Sequence, residues 1–273
     1  MATTIMTFYN EEYLLPWWIK HHSKIFEHGI LVDYHSTDRS YEICKDLCPK
    51  HWKIFKSFQN DFSSDGIDGN MQFYEKSVNG FKMPLTTAEF LLTPAPLDAL
   101  DNFCLAQNID FLKAWGVCMV DTNTTDLPTY DKHLYEQKHH GMINGYVGPK
   151  YNPIPDYCAA FYSRTYHNKP MANYAPGRHF IWPPGPDQSY NIFSALDVFT
   201  LKYRFSPWNE TTIKRIQQFK SRVPQYDLDS NKGGTHCLSE EQYIEEYDHY
   251  LTTAYDLKTN EQFLNAYNYC VSL

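Results

Sequence analysis

Residues 3–19, TTIMTFYNEEYLLPWWI, begin as a β-branched apolar run and change character at Asn10, where an amphipathic helical pattern takes over. The run Thr3 to Tyr9 predicts a short strand. Asn10 predicts the cap of a helix reaching about Ile25, with Glu11 and Glu12 in the first turn where the helix dipole favours anions. Working outward, Gly29 to Tyr34 (GILVDY) predicts a second strand. It ends at HSTDRS, whose Ser36 or Asp38 can cap a helix over Tyr41 to Leu47, and a third strand follows at Trp52 to Phe58. This alternation predicts a parallel sheet with right-handed crossovers, which gather the C-terminal strand ends on one edge. Ligands of open α/β sheets bind at that edge.

The remaining chain reads as a polar loop (QNDFSSDGIDGN, 59–70), a helix near Met71 to Val78, and a strand at Lys82 to Thr86. A helix near Leu97 to Ile109 and strands at Gly116 to Val120, Gly141 to Val147 and Asp197 to Phe205 follow. Helices are expected near Trp208 to Arg222, over the acidic SEEQYIEEYDHYLTTAY, and at Glu261 to Tyr267. With 273 residues and 42% hydrophobic composition the chain can bury a substantial core. No linker divides it, so one domain is expected over 1–273. Its parts are expected at 1–95, at 96–205 and in a helical C-terminal extension at 206–273. A net charge of −8 without a Lys/Arg run argues against a nucleic-acid partner. No signal-peptide pattern and no transmembrane-length apolar run occurs, so a cytoplasmic location is expected. The seven cysteines lack paired spacing and read as free thiols.

The segments IMTFYNEEYLLPWWIKHH and GILVDYHSTDRS together resemble the first two βα units of family-2-like glycosyltransferases of the GT-A fold. The resemblance implies an α/β, Rossmann-like, mostly parallel central sheet flanked by helices. It also implies a nucleotide-sugar donor, UDP- or GDP-linked, and a glycan acceptor. Carried over residue by residue, it assigns Thr7, Tyr9, Asn10, Glu11 and Asp33 to the nucleotide. Tyr34 and His35 stand where the family has Asn/Asp-Gly, and Asn70, Thr86 and Thr87 are grouped with the donor site. Strand-end side chains of this kind can hydrogen-bond hydroxyls or stack on a ring, although Asp33 and Asp38 could equally satisfy a turn and a cap. Further on, NKPMANYAPGRHFIWPP and LKYRFSPWNETTIKRIQQFKSR resemble later family segments. There Lys169, Arg178, His179, Lys202 and Arg204 become candidates for the donor diphosphate or the acceptor.

One departure stands out. Family members bind Mn or Mg through Asp-x-Asp, often helped by a histidine on a later strand, because hard cations need anionic oxygen ligands. Here the first motif falls on Thr86-Thr87-Ala88 within LTTAEFLLTP (85–94), and the histidine position falls on Thr200. No cofactor is therefore expected, with Mn or Mg as the alternative, and cations such as Lys202, Lys169 or Arg178 would stabilise the leaving diphosphate. Glu89, then Asp121 and Asp126, are the candidate catalytic carboxylates. The alternative function is an inactive GT-A-fold protein that binds a glycan or nucleotide. The pairs His21-His22 and His139-His140, as neighbours on a helix, would point about 100° apart and read as surface or packing residues rather than metal ligands. A zinc site on Cys44 and Cys48 is disfavoured, since no second pair follows.

Overall fold

The computed structural model describes residues 1–143, 162–175, 177–183, 185, 189–230 and 232–273. Cys158 and the end of the strand expected at 141–147 lie outside these. The fold is mixed α/β. Strands β1 (Ala2–Phe8), β2 (His28–Asp33), β3 (Lys53–Lys56) and β4 (Phe81–Thr86) run parallel in the order β3-β2-β1-β4. They are linked by helices α1 (Leu15–Ile25), α2 (Ser40–Leu47) and α3 (Ser64–Lys76). The order reverses between β1 and β4, so the crevice above their C-terminal ends is a topological switch point.

The sheet continues through strands β6 (Phe111–Val120), β7 (His140–Ile143), β8 (Arg164–His167) and β10 (Tyr255–Asp256) in the order β4-β8-β6-β7-β10. Strand β8 is antiparallel to both β4 and β6. The long β9 (Ile192–Phe205) runs parallel to β6 and antiparallel to the short β5 (Glu89–Leu92). Helices α4 (Leu97–Ala106) and α5 (Leu134–Gln137) fall between these strands; α6 (Glu210–Gln217), α7 (Gln225–Asp229), α8 (Glu240–Leu251) and α9 (Glu261–Val271) follow β9. The main core joins both halves: Trp18, Phe90, Leu112, Phe199, Tyr203 and Phe263 belong to one buried cluster.

Local physics adjusts several expected boundaries. Asn10 does not cap α1: it sits in the left-handed region (φ 49°), and the helix begins five residues later, at Leu15, with Pro16 in its first turn. Much of the loop expected at 59–70 is instead the start of α3, capped by Ser63 Oγ accepting the Gly66 N–H at 3.3 Å. Asn209, by accepting the Thr212 N–H at 3.0 Å, starts α6. That helix ends at Gln217, short of the Arg222 expected.

Candidate functional site

Parallel register sets Thr7 beside Thr86 and Phe8 beside Asp33 at the strand ends. Above them opens a cavity of about 200 Å³, lined from the first half by Thr7, Tyr9, Glu11, Tyr34, Asp68, Thr86 and Thr87. Arg164, Arg178, His179 and Lys202 line it from the second half, with Arg204, Arg215, Phe219 and His236 beyond them. Ten of the donor or acceptor residues expected from sequence thus share one cavity: Thr7, Tyr9, Glu11, Tyr34, Thr86, Thr87, Arg178, His179, Lys202 and Arg204.

At the floor, Glu89 is fully buried. Its carboxylate takes a forked ion pair from Arg164 (Nη2 to Oε1 2.5 Å, Nε to Oε2 2.8 Å), a bond from Lys202 Nζ at 3.0 Å and the Thr86 N–H at 2.8 Å. Burial alone would raise its pKa, but Arg164 and Lys202 outweigh burial and hold the carboxyl well below the usual range. So held, Glu89 is a poor proton acceptor, and its geometry corrects the catalytic role expected for it. Lys202 is its cross-strand partner on β9, and its ammonium also donates to Thr86 Oγ1 at 2.9 Å. Burial lowers the Lys202 pKa to about 8 against the opposing pull of Glu89.

Two further carboxylates line the cavity. Asp68, on α3, pairs with Arg178 at 2.6 Å, and Glu11 pairs with Arg215 at 3.0 Å. Burial raises the pKa of each, with its arginine opposing. Arg178 is held in the left-handed region (φ 63°) directly after Gly177 (φ 85°), a conformation that costs a non-glycine residue ~1–3 kcal/mol. The strained turn delivers Arg178 and His179 together. His179 Nδ1 accepts from Arg164 Nη1 at 2.8 Å, and burial drives its pKa well below the ordinary value, so it is neutral. Among the described residues five cations, Arg164, Arg178, Lys202, Arg204 and Arg215, line the cavity together with the carboxylates of Asp68 and Glu11, and Glu89 lies directly behind Arg164 and Lys202. The Nε atoms of Arg178 and Arg215 are buried without a partner.

Beside this charged group lies an aromatic one. Phe62 packs on Phe219 at 4.6 Å and on His236 at 4.9 Å, and Tyr9 lies 6.1 Å from Phe219. The Arg222 guanidinium covers the Tyr9 ring at 3.7 Å and donates to the Tyr34 carbonyl at 3.1 Å.

Other expected residues lie elsewhere. Asn10 Oδ1 accepts the Thr37 N–H at 2.7 Å and clasps two loops together. Asp33 accepts the Ser36 N–H at 2.8 Å, and His35 Nε2 contacts the Ser57 carbonyl at 3.1 Å, so both serve the turn. Asn70 is buried and donates to the Tyr34 hydroxyl at 2.5 Å, supporting a lining residue from behind. Lys169 is ion-paired with Asp110 and lines no part of the cavity. Asp121 is buried, bonded to Lys138 Nζ at 2.8 Å and the Trp208 N–H at 2.9 Å, and Asp126 is exposed on a loop. Neither Asp121 nor Asp126 reaches the cavity. Sequence reasoning missed Arg164, Asp68 and Arg215, whose only signal is spatial: each ion pair joins residues far apart in the chain.

A hard divalent cation does not fit the register where the resemblance places one. Thr86 and Ala88 offer a hydroxyl and a methyl, Thr200 is buried away from the cavity, and Glu89 is committed to two cations.

No family model matches the chain, and no curated protein does. Among solved structures, a protein from Desulfovibrio desulfuricans G20 described as a nucleotide-diphospho-sugar transferase aligns at 9% identity and TM-score 0.30. The alignment covers 43% of this chain and 58% of that one. A 4-diphosphocytidyl-2C-methyl-D-erythritol synthase from Anaerococcus prevotii DSM 20548 aligns at 8% identity and TM-score 0.30, over 62% of this chain and 70% of that one. Likeness at this level leaves the function to be argued from the cavity. No helix among the described residues is long and apolar enough to cross a membrane.

Proposed function

We propose that this protein transfers a sugar from a UDP- or GDP-linked donor to a glycan hydroxyl, with side-chain cations in place of a divalent metal. One observation carries the reading. The Lys202 ammonium bridges Thr86 and Glu89 at the register where the resemblance puts metal ligands, on the wall of a cavity that Arg164, Arg178 and Arg215 also line. A departing nucleoside diphosphate needs donors on its oxygens, and cations in a water-poor site supply them strongly. Lys202, Arg178 and Arg215 would take the diphosphate, and the aromatic group around Tyr9 and Phe219 would take the nucleoside.

Transfer also needs a proton acceptor for the attacking hydroxyl. Asp68 suits the role better than Glu89, because it lines the cavity and burial raises its pKa on balance, whereas Arg164 and Lys202 hold that of Glu89 down. As the acceptor oxygen bonds to the anomeric carbon, the bond to the diphosphate breaks and the hydroxyl proton passes to Asp68. The six described cysteines are free thiols, which fits a reducing, cytoplasmic setting for this chemistry.

A second reading, a nucleotide or glycan binder without turnover, draws on one observation: both carboxylates lining the cavity are already ion-paired with arginine. Calorimetric titration of UDP and GDP with chelator or with Mn²⁺, followed by donor hydrolysis and transfer assays on wild type and Asp68→Asn, separates the readings. The transferase predicts binding without metal. It also predicts turnover that falls ~10²–10⁴-fold in Asp68→Asn while nucleotide affinity holds. Binding only with Mn²⁺ sinks the metal-free reading, binding without any turnover leaves the binder, and absence of nucleotide binding sinks both.

A further inference from the structure

Far from the cavity, a second group of side chains is arranged for a different ligand. His140 opens β7 and Asp256 closes β10, and the two are direct partners across the antiparallel ladder, so their side chains leave the same face. His139 precedes them, its backbone carbonyl accepting the Leu257 N–H at 3.1 Å. His139 lies just before the strand that His140 opens, and neither is on a helix, so the helical angle expected from sequence does not apply and the observed spacing decides whether they meet. Their rings lie 4.8 Å apart at 28°. His139 Nδ1 is 2.8 Å from Asp256 Oδ1, and one ligand atom from each of the three residues lies within 4.8 Å of the others. All three residues are half-buried.

We infer that His139, His140 and Asp256 form a binding site for a divalent transition ion of the zinc type. Two imidazoles and one carboxylate suit Zn²⁺, Co²⁺ or Ni²⁺, whereas Mg²⁺ and Mn²⁺ favour oxygen sets. Tetrahedral bonds of ~2.0–2.1 Å put neighbouring ligand atoms about 3.3 Å apart. The His139–Asp256 spacing is already close to that, and the ion would replace the proton they share. His140 then needs only a modest rotation to close the triangle, and the half-exposed face leaves a fourth position for water. Lys258, two residues from Asp256, points its ammonium at the Tyr267 ring, 4.9 Å from its centroid, while its backbone N–H bonds Asp256 Oδ1 at 3.0 Å, and Lys138, next to His139, turns its ammonium to Asp121 at 2.8 Å. The bound ion would rivet β10, and α9 directly after it, to the sheet edge.

The test is a titration of chelator-stripped protein with Zn²⁺ by calorimetry, with Co²⁺ absorption reporting nitrogen and oxygen ligands. Wild type, His140→Ala, Asp256→Asn and His139→Ala/His140→Ala are compared, each first checked for a native circular dichroism spectrum. The expected result is one equivalent bound in wild type with a raised Tm, unmoved by excess Mg²⁺. Affinity should weaken in the single variants by more than the ~10–100-fold that a lost outer-shell partner costs, and vanish in the double variant. Equal Zn²⁺ affinity in wild type and the double variant would overturn the proposal, as would no saturable binding in wild type. None of the three residues lines the donor cavity, so either failure leaves the transferase reading where it stands.

Discussion

Burial strips stability from the Lys202 ammonium while Glu89 restores part of it, and the balance places its pKa at about 8. This sign matters for ligand binding. A lysine with a lowered pKa carries its charge below that value and loses it above. Above the ~6 at which its own terminal phosphate loses the last proton, a diphosphate held by Lys202 should therefore bind steadily to neutral pH and weaken as pH rises through about 8. Isothermal titration of UDP across that window in wild type, Lys202→Met and Lys202→Arg checks this. Lys202→Met should sit at the weak plateau throughout, and Lys202→Arg should bind without the slope, since guanidinium stays charged. A slope that persists in Lys202→Arg would assign it to another group. At the same scale, Arg178 shows why residue type alone misleads. Its place in the cavity depends on a left-handed turn that no single-residue propensity foretells.

Strand β5 has four residues, and its pairing with β9 sets Glu89 against Lys202. Removing that carboxylate leaves Arg164 and Lys202 as neighbouring buried cations without their counter-charge. Glu89→Gln should cost ~3–5 kcal/mol in denaturant unfolding, as loss of one partner of a buried pair does, whereas Lys202→Met, at the cavity wall, should cost clearly less. Equal small costs would mean that water already reaches the pair. Legibility from sequence follows the same division of elements. The parallel half was readable because each strand is an apolar run ending at a helix start. Helix α3 was half lost because Gly66 and Gly69 imitate a loop, and β5 and β8 were lost because four residues carry too few periods. The antiparallel additions are set by partners distant in the chain, which local pattern cannot register. In the site, strand-end residues such as Thr7 and Tyr9 were named from the resemblance and lie on the cavity wall. Asn10, Asp33 and His35 were named beside them but make hydrogen bonds within and between turns, since turn-forming and ligand-binding uses draw on the same residue types.

At the scale of the whole molecule, the segment after β9 folds back to complete the cavity over the N-terminal strands. Arg215 reaches Glu11, Gln218 Nε2 donates to the Asn10 carbonyl at 3.0 Å, and Arg222 lies on Tyr9 and donates to the Tyr34 carbonyl. The guanidinium is planar, cationic and stacked 3.7 Å from the Tyr9 centroid, so it holds the ring face on which a nucleobase would stack. A base that stacks on Tyr9 must displace this guanidinium, which already covers the ring. Base stacking on an aromatic ring contributes ~1–3 kcal/mol, and displacing Arg222 must consume part of it. Arg222→Ala should therefore tighten UDP severalfold while leaving inorganic pyrophosphate unchanged, because pyrophosphate engages only the cations. Competitive titration of both ligands on wild type and Arg222→Ala reads the ratio directly. If UDP weakens in the variant while pyrophosphate holds, Arg222 stacks on the base itself and belongs to the binding surface. If both weaken together, its charge acts on the phosphates, and the division of the cavity into aromatic and cationic parts must be redrawn.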